Sequence, residues 1–376
     1  MKKLYRLDAW HKLLALRFKS LKWRHGVLIA LLILVTLTKM IPLWGFIYTT
    51  RIYPVIGTLL SPISGIFPFA VGDIFIALSI AWVILYPIYE MGWRKKMVLG
   101  RVAEYLLWVY AWFYIAWGLN YSQPNIYYRI GMKPVEVSKA KFKKFAYQYA
   151  DSLNALSNAS LSNARKSISP DSIVDDALKN RVRDAVLKEY NKIGYREGIN
   201  KPFNQHPHAK TMVFTPLSSM AGVTGSMGPF FCEFTLNGDI LAHDYPATYA
   251  HEFAHFLGVA NEGEANFYSY IVCTASADKQ VRFSGYYHIF FHVLNNVYDI
   301  LGEKEGERFL KHIRPEIIQR ARNDRYYWLS KRCKALDAAQ DVIFELYLRG
   351  NHVAEGRKSY SGVIGLILAW EEKTKK

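Results

Sequence analysis

The chain has 376 residues, 51% of them hydrophobic, and a formal net charge of +17. Residues 1–121 hold 14 Lys and Arg against 4 Asp and Glu, a net of +10, which leaves 34 against 27, a net of +7, for the remainder. Positive charge is therefore densest beside apolar runs, where anionic head groups account for it, and no nucleic-acid partner is expected. Cys232, Cys273 and Cys333 form no C-x-x-C pair and leave an odd count, so they point to packing and not to a disulfide framework or a thiolate metal site.

Residues 1–25 interleave Lys2, Lys3, Arg6, Lys12, Arg17, Lys19, Lys22 and Arg24 with leucines and Trp10, Phe18 and Trp23. This reads as a basic amphipathic helix on a membrane surface, since no small-residue cleavage site follows it. Three apolar runs come next, about 26–48, 65–89 and 102–119, each long enough with its flanks to cross a hydrocarbon layer of roughly 30 Å. The connection around Thr49–Ser64 carries only Arg51, whereas Glu90–Arg101 carries Arg94, Lys95, Lys96 and Arg101. The positive-inside rule then places the N-terminus and the second connection in the cytoplasm. After three spans the chain from about Asn120 faces outward. The expectation is a multi-pass protein of the cytoplasmic membrane with an extracytoplasmic domain over 122–376. Lys39 and Asp73 lie inside the apolar runs toward the outer side, where a mutual ion pair or snorkelling explains them.

The domain opens irregularly, then shows helical stretches at about 135–156, with Ser138 as N-cap, and 175–193, separated by a Ser/Asn/Asp-rich loop over 157–172. Lys210–Phe214 and Phe230–Leu236 read as short strands around a Gly/Ser/Met loop, Ser218–Gly228. The remainder is mainly helical, at about 261–276, 284–301, 304–325, 335–349 and 360–372.

Chemistry concentrates at His251-Glu252-Phe-Ala-His255. On a helix the two histidines stand one turn apart on one face, so their imidazoles can share a metal ion, and Glu252 is placed as general base for a bound water. Pro246 suits the first turn of that helix and Gly258 its end. Ala250, Phe253, Ala254 and Leu257 form a buried stripe beside the histidines. Zn2+ wants a third protein ligand, for which Glu262 and Glu264 compete. Asn261-x-x-Glu264 has the form of a capping box, which gives Glu264 a structural task, and two carboxylates two residues apart diverge by roughly 200° around a helix. Glu262 is the expected ligand and Glu264 the alternative, with Asn266 orienting a ligand histidine. His288, His292, Tyr286 and Tyr287 are candidate donors to a transition-state oxyanion, and the strand Phe230–Leu236 is a candidate edge for aligning an extended peptide. His206-Pro-His208 and His243-Asp244 offer a weaker second metal-binding combination.

The segment resembles zinc peptidases with two His and one Glu as ligands, whose second helix carries E-x-x-x-D; Asn266 stands where the Asp is usual. More broadly, the chain resembles a family of bacterial three-span membrane proteins classed as a domain of unknown function. The resemblance lies in Ile52-Tyr-Pro-Val-Ile56, Phe67-Pro-Phe-Ala-Val-Gly-Asp73, Trp117-Gly-Leu-Asn-Tyr121, Gly228-Pro-Phe-Phe-Cys-Glu233, the His251–Gly258 run, Glu262–Phe267 and Gly356-x-x-Ser-Tyr360. It implies a three-span membrane protein with a peptidase-like domain and brings no substrate. The residues themselves lead to the expectation of a membrane-anchored zinc metallopeptidase with a mainly helical α+β, zincin-like domain and a small sheet, acting on proteins or peptides outside the membrane. The alternative from another class is a catalytically silent scaffold for an envelope partner, to which Asn266 and the unassigned oxyanion donor give weight.

Overall fold

The structure, a computed structural model, describes residues 22–90, 95–135, 138–164, 174–336, 338, 340–342 and 362–374. The basic segment 1–21, Arg94, the loop over 165–172 and most of the helix expected at 335–349 lie outside them.

The first apolar run forms α1 (Trp23–Met40) and a short α2 (Pro42–Ile47), with Ile41 extended between them. The span expected over 26–48 is thus broken at Ile41, because the residue before a proline is driven out of the helical region. Thr49–Ser64, expected to be a connection, is helical. A π turn (Tyr48–Ile52) runs into α3 (Tyr53–Gly65), which carries Pro54 in its first turn. One face of α3 packs inward through Tyr53, Gly57 and Ser61, while Val55, Leu59 and Ile63 on the other are more than half exposed.

The second run begins as helix only at α4 (Val71–Glu90), since Gly65 closes α3 and Pro68 occupies the turn between. Among the described residues two helices, α1 and α4, are long and apolar enough to cross a membrane. The third run forms α5 (Lys95–Ala116), whose first turns carry Lys95, Lys96, Arg101 and Glu104. Lys39 and Asp73 take separate partners: Lys39 Nζ donates to Tyr114 Oη at 3.0 Å, and Asp73 Oδ2 accepts the Val213 N–H at 2.9 Å.

Beyond a short 3-10 turn (Gly118–Ser122), α6 (Ile126–Ile130), α7 (Lys139–Ala164) and α8 (Asp176–Lys192) lead to a three-stranded sheet. The α7 helix runs past Leu156 into residues expected to be loop, with Ser138 Oγ accepting the Lys141 N–H at its start. The strands are β1 (Lys210–Thr211), β2 (Gly225–Gly228) and β3 (Glu233–Leu236), with α9 (Thr215–Met220) between the first two. β3 is central, parallel to β1 and antiparallel to β2, with Gly225 opposite Leu236 and Gly228 opposite Glu233. The expected edge strand is therefore an inner one. The edges are β1 and β2, and β2 lies inside the stretch read as a Gly/Ser/Met loop.

The remaining helices are α10 (Tyr245–Phe256), α11 (Glu262–Ala275), α12 (Lys279–His288), α13 (Phe290–Leu301), α14 (Glu303–His312), α15 (Pro315–Lys331) and α16 (Val363–Thr374). The helix expected over 284–301 is broken at Ile289, and that over 304–325 at Arg314-Pro315, where the proline opens a new helix. One hydrophobic core joins Tyr48, Tyr53, Tyr114 and Trp117 from the N-terminal apolar region to Phe234, Phe253, Phe256 and Phe267. Every residue of α10 is buried. The cysteines are free, Cys232 and Cys273 buried and Cys333 half-buried.

Candidate metal centre

Helix α10 has Pro246 in its first turn and ends at Gly258, whose φ of +96° lies in the left-handed region. A Cβ there would also meet Asn120 Oδ1 and Tyr53 Cδ1 at 3.1 Å. The last carbonyls of a helix lack intrahelical partners. Here residues outside α10 supply them: Trp117 Nε1 donates to His255 O at 3.0 Å, Tyr53 Oη to Phe256 O at 2.6 Å, Asn200 Nδ2 to Leu257 O at 2.9 Å and Gln123 Nε2 to Gly258 O at 2.7 Å. Three of those four donors come from the N-terminal 123 residues, so the apolar region grips the end of the histidine helix.

On α10 the His251 and His255 rings lie 4.7 Å apart at 80° to one another. The His255 Nδ1–H donates to Val259 O at 2.6 Å and the His251 Nδ1–H to Asn266 Oδ1 at 2.8 Å. Each bond places the proton on Nδ1 and leaves an Nε2 lone pair facing the partner ring. Glu262, the first residue of α11, adds Oε2. The three atoms are separated by 3.1 Å (the two Nε2), 3.1 Å (His251 to Glu262) and 3.5 Å (His255 to Glu262). Ligands on a tetrahedral ion at about 2.0–2.1 Å stand about 3.3 Å apart, so the donor set has the size of a zinc site. Three lone-pair donors this close repel one another unless positive charge lies among them. The protonation balance shows the same demand. Burial disfavours an imidazolium at His255, yet the Glu262 carboxylate outweighs it and pushes its pKa up to about 9. Burial likewise opposes ionised Glu262, and the two histidines hold its carboxyl well below the usual range nonetheless.

Glu252 is buried with its carboxylate against β2, where a Cβ on Gly225 would sit 2.4 Å from Oε1, and its Oε2 has no hydrogen-bond partner. Burial raises its pKa, His251 and His255 oppose the rise, and Glu262 adds to it. An unpartnered, partly basic carboxylate beside a cation site is the arrangement a general base needs.

Glu264 is elsewhere. Its carboxylate accepts the Ile126 N–H at 2.9 Å and pairs with buried Arg129 at 2.6 Å, while its own N–H is capped by Asn261. The structure therefore brings Glu262, and not Glu264, to the histidines. Asn266 Oδ1 accepts a second bond, from His288 Nε2 at 2.9 Å, and burial with the neighbouring His251 and His292 pushes the His288 pKa down to about 3, so that ring is neutral. Asn266→Ala removes the group that fixes the His251 tautomer and is expected to weaken zinc binding 10–100-fold in a chelator competition; unchanged affinity would show that Asn266 does not orient the ligand.

Of the expected oxyanion donors, Tyr287 Oη is committed to Asp324 at 2.5 Å and His288 to Asn266, while the Tyr286 ring packs between those of Tyr149 and Tyr270, at 5.7 and 5.6 Å. His292 lines the cleft with the ligands, and burial lowers its pKa. That cleft encloses about 560 Å³ and includes Trp117, Tyr121 and β2, three features whose place at the site sequence spacing does not reveal. A second cluster gathers His243, Asp244 and Asp324, with His243 Nε2 2.8 Å from Asp324 and 3.7 Å from Asp244. Asp324 is 81 residues away in the chain and carries no motif, which is why only His243-Asp244 is legible in sequence.

No curated protein and no solved structure matches the chain. The family described as "Protein of unknown function (DUF3810)" matches residues 48–368, a stretch that runs from the π turn through α10 and α11 into α16, and the chain belongs to that family.

Proposed function

We propose that this protein is a membrane-anchored zinc-dependent peptidase that hydrolyses peptide bonds just outside the cytoplasmic membrane. The observation that carries the reading is the convergence of His251 Nε2, His255 Nε2 and Glu262 Oε2 within 3.1–3.5 Å, beside the unpartnered carboxylate of Glu252. A bound Zn2+ supplies Lewis acidity and lowers the pKa of a coordinated water toward about 7. Val259 O and Asn266 Oδ1 hold the two imidazoles in the ligating tautomer. Glu252 takes the proton from the attacking water and passes it to the leaving amine. Among the described residues the outer side of edge strand β2 pairs with no other strand, and an extended peptide laid along it would place a scissile carbonyl across the cleft. With Tyr287 and His288 engaged and Tyr286 packed against Tyr149 and Tyr270, His292, which lines the cleft, is the expected donor to the oxyanion.

In this reading α1, α4 and α5 are the three spans. The charged first turns of α5 lie among cytoplasmic head groups, and α3 lies at the outer surface with Val55, Leu59 and Ile63 toward lipid. The test is zinc content and peptide hydrolysis for the full-length protein and for Glu252→Gln. Bound zinc in both, with hydrolysis reduced at least about 100-fold in the variant, is expected; equal hydrolysis by the two would refute the assignment of Glu252.

A further inference from the structure

We propose that the substrate is a polypeptide anchored in the same membrane and cut within about five residues of its own membrane-spanning segment, a specificity that rests on the peptidase reading. The 20 residues of α4 rise about 30 Å, the thickness of the hydrocarbon layer, so Val71 marks its outer boundary. β2 connects that boundary to the metal centre. Its first residue, Gly225, touches Glu252, and its last, Gly228, lies against Gly72 in the first turn of α4. Three residue steps of strand cover about 10 Å. Beyond Pro229 the chain goes below the boundary: the Phe230 ring lies 4.9 Å and the Phe231 ring 5.6 Å from Phe75, one turn into α4, and Trp112 Nε1 of α5 donates to Phe230 O at 3.0 Å.

A chain paired along the outer edge of β2, which no other strand occupies among the described residues, thus runs from the catalytic groups directly into the apolar layer. The height of the centre is fixed as well. Trp117, one residue past α5, bonds His255 O, and Tyr53 at the start of α3 bonds Phe256 O, so the ligand helix cannot lift away from the anchor. Its reach is about 10 Å above the boundary, and a strand crosses that distance in three to five residues.

The experiment uses the full chain in phosphatidylcholine–phosphatidylglycerol vesicles with two pools of single-span polypeptides. Both pools carry the same randomised twelve-residue outer segment. In one it follows the span directly; in the other a twelve-proline spacer lifts it by roughly 37 Å. Mass spectrometry of the first pool is expected to place cuts within five residues of the span, and the lifted pool is expected to be cut at least about tenfold more slowly. Equal rates, or cuts spread evenly along the segment, would overturn this specificity and leave the peptidase standing. No cleavage of either pool above the Glu252→Gln background would remove both.

Discussion

Glu262→Gln is expected to lower zinc affinity by at least about 100-fold, more than the loss of a hydrogen bond that merely orients a ligand. Glu264→Gln is expected to leave zinc affinity unchanged and to lower thermal stability. The two carboxylates are two residues apart, yet α11 begins at Glu262, and the turn of the helix sends one to the histidines and the other to Arg129. The Arg129 side chain is 3% exposed and its partner 6%, so removing the Glu264 charge leaves a buried guanidinium uncompensated. Breaking a buried pair in this way costs about 3–5 kcal/mol. At about 2–4 °C per kcal/mol for a domain of this size, the melting temperature should fall by roughly 6–20 °C. Zinc stoichiometry, measured below that transition, should remain that of the wild type. Loss of zinc from folded Glu264→Gln, with zinc kept by Glu262→Gln, would reverse the ligand assignment.

Gly225→Ala is expected to abolish most hydrolysis while zinc stays bound. The added methyl group would stand 2.4 Å from Glu252 Oε1 and 2.8 Å from its Cδ, so one of the two must move. β2 is held by its ladder to β3 over Gly225–Gly228, whereas the Glu252 carboxylate has an oxygen with no hydrogen bond to retain it. The carboxylate gives way, and a displaced general base forfeits about 10²–10⁴ in rate. The same change in Glu252→Gln should add little, because the base is already lost. Hydrolysis at the wild-type rate by Gly225→Ala would mean that Glu252 does not act from this position.

What sequence shows of this site is what local rules control. Pro246 and Gly258 bound the histidine helix, and the spacing of His251 and His255 converges their rings, because both depend only on backbone geometry. The divergence of Glu262 and Glu264 around α11 is local in the same sense, as are the ends of α8 and α11. The edge strand is not. Gly225-Ser-Met-Gly228 has no branched or aromatic residue to mark it as a strand, and it is extended because β3 pairs with it. Thr49–Ser64 reads as a connection through its prolines, glycine and serines, yet the packing of Tyr53, Gly57 and Ser61 against the rest of the protein makes it a helix. The break at Ile289 has no proline or glycine to announce it. Asp324, Arg129 and Trp117 reach their partners across 81, 135 and 138 residues, and no periodicity encodes such a contact.

The central claim is the ligand set, and zinc K-edge absorption on the purified full-length protein addresses it without reference to any substrate. One zinc per chain, with two imidazole nitrogens and oxygen donors at about 2.0–2.1 Å and no sulfur, is the predicted spectrum. A thiolate shell, or a metal signal that survives replacement of both His251 and His255, would contradict it.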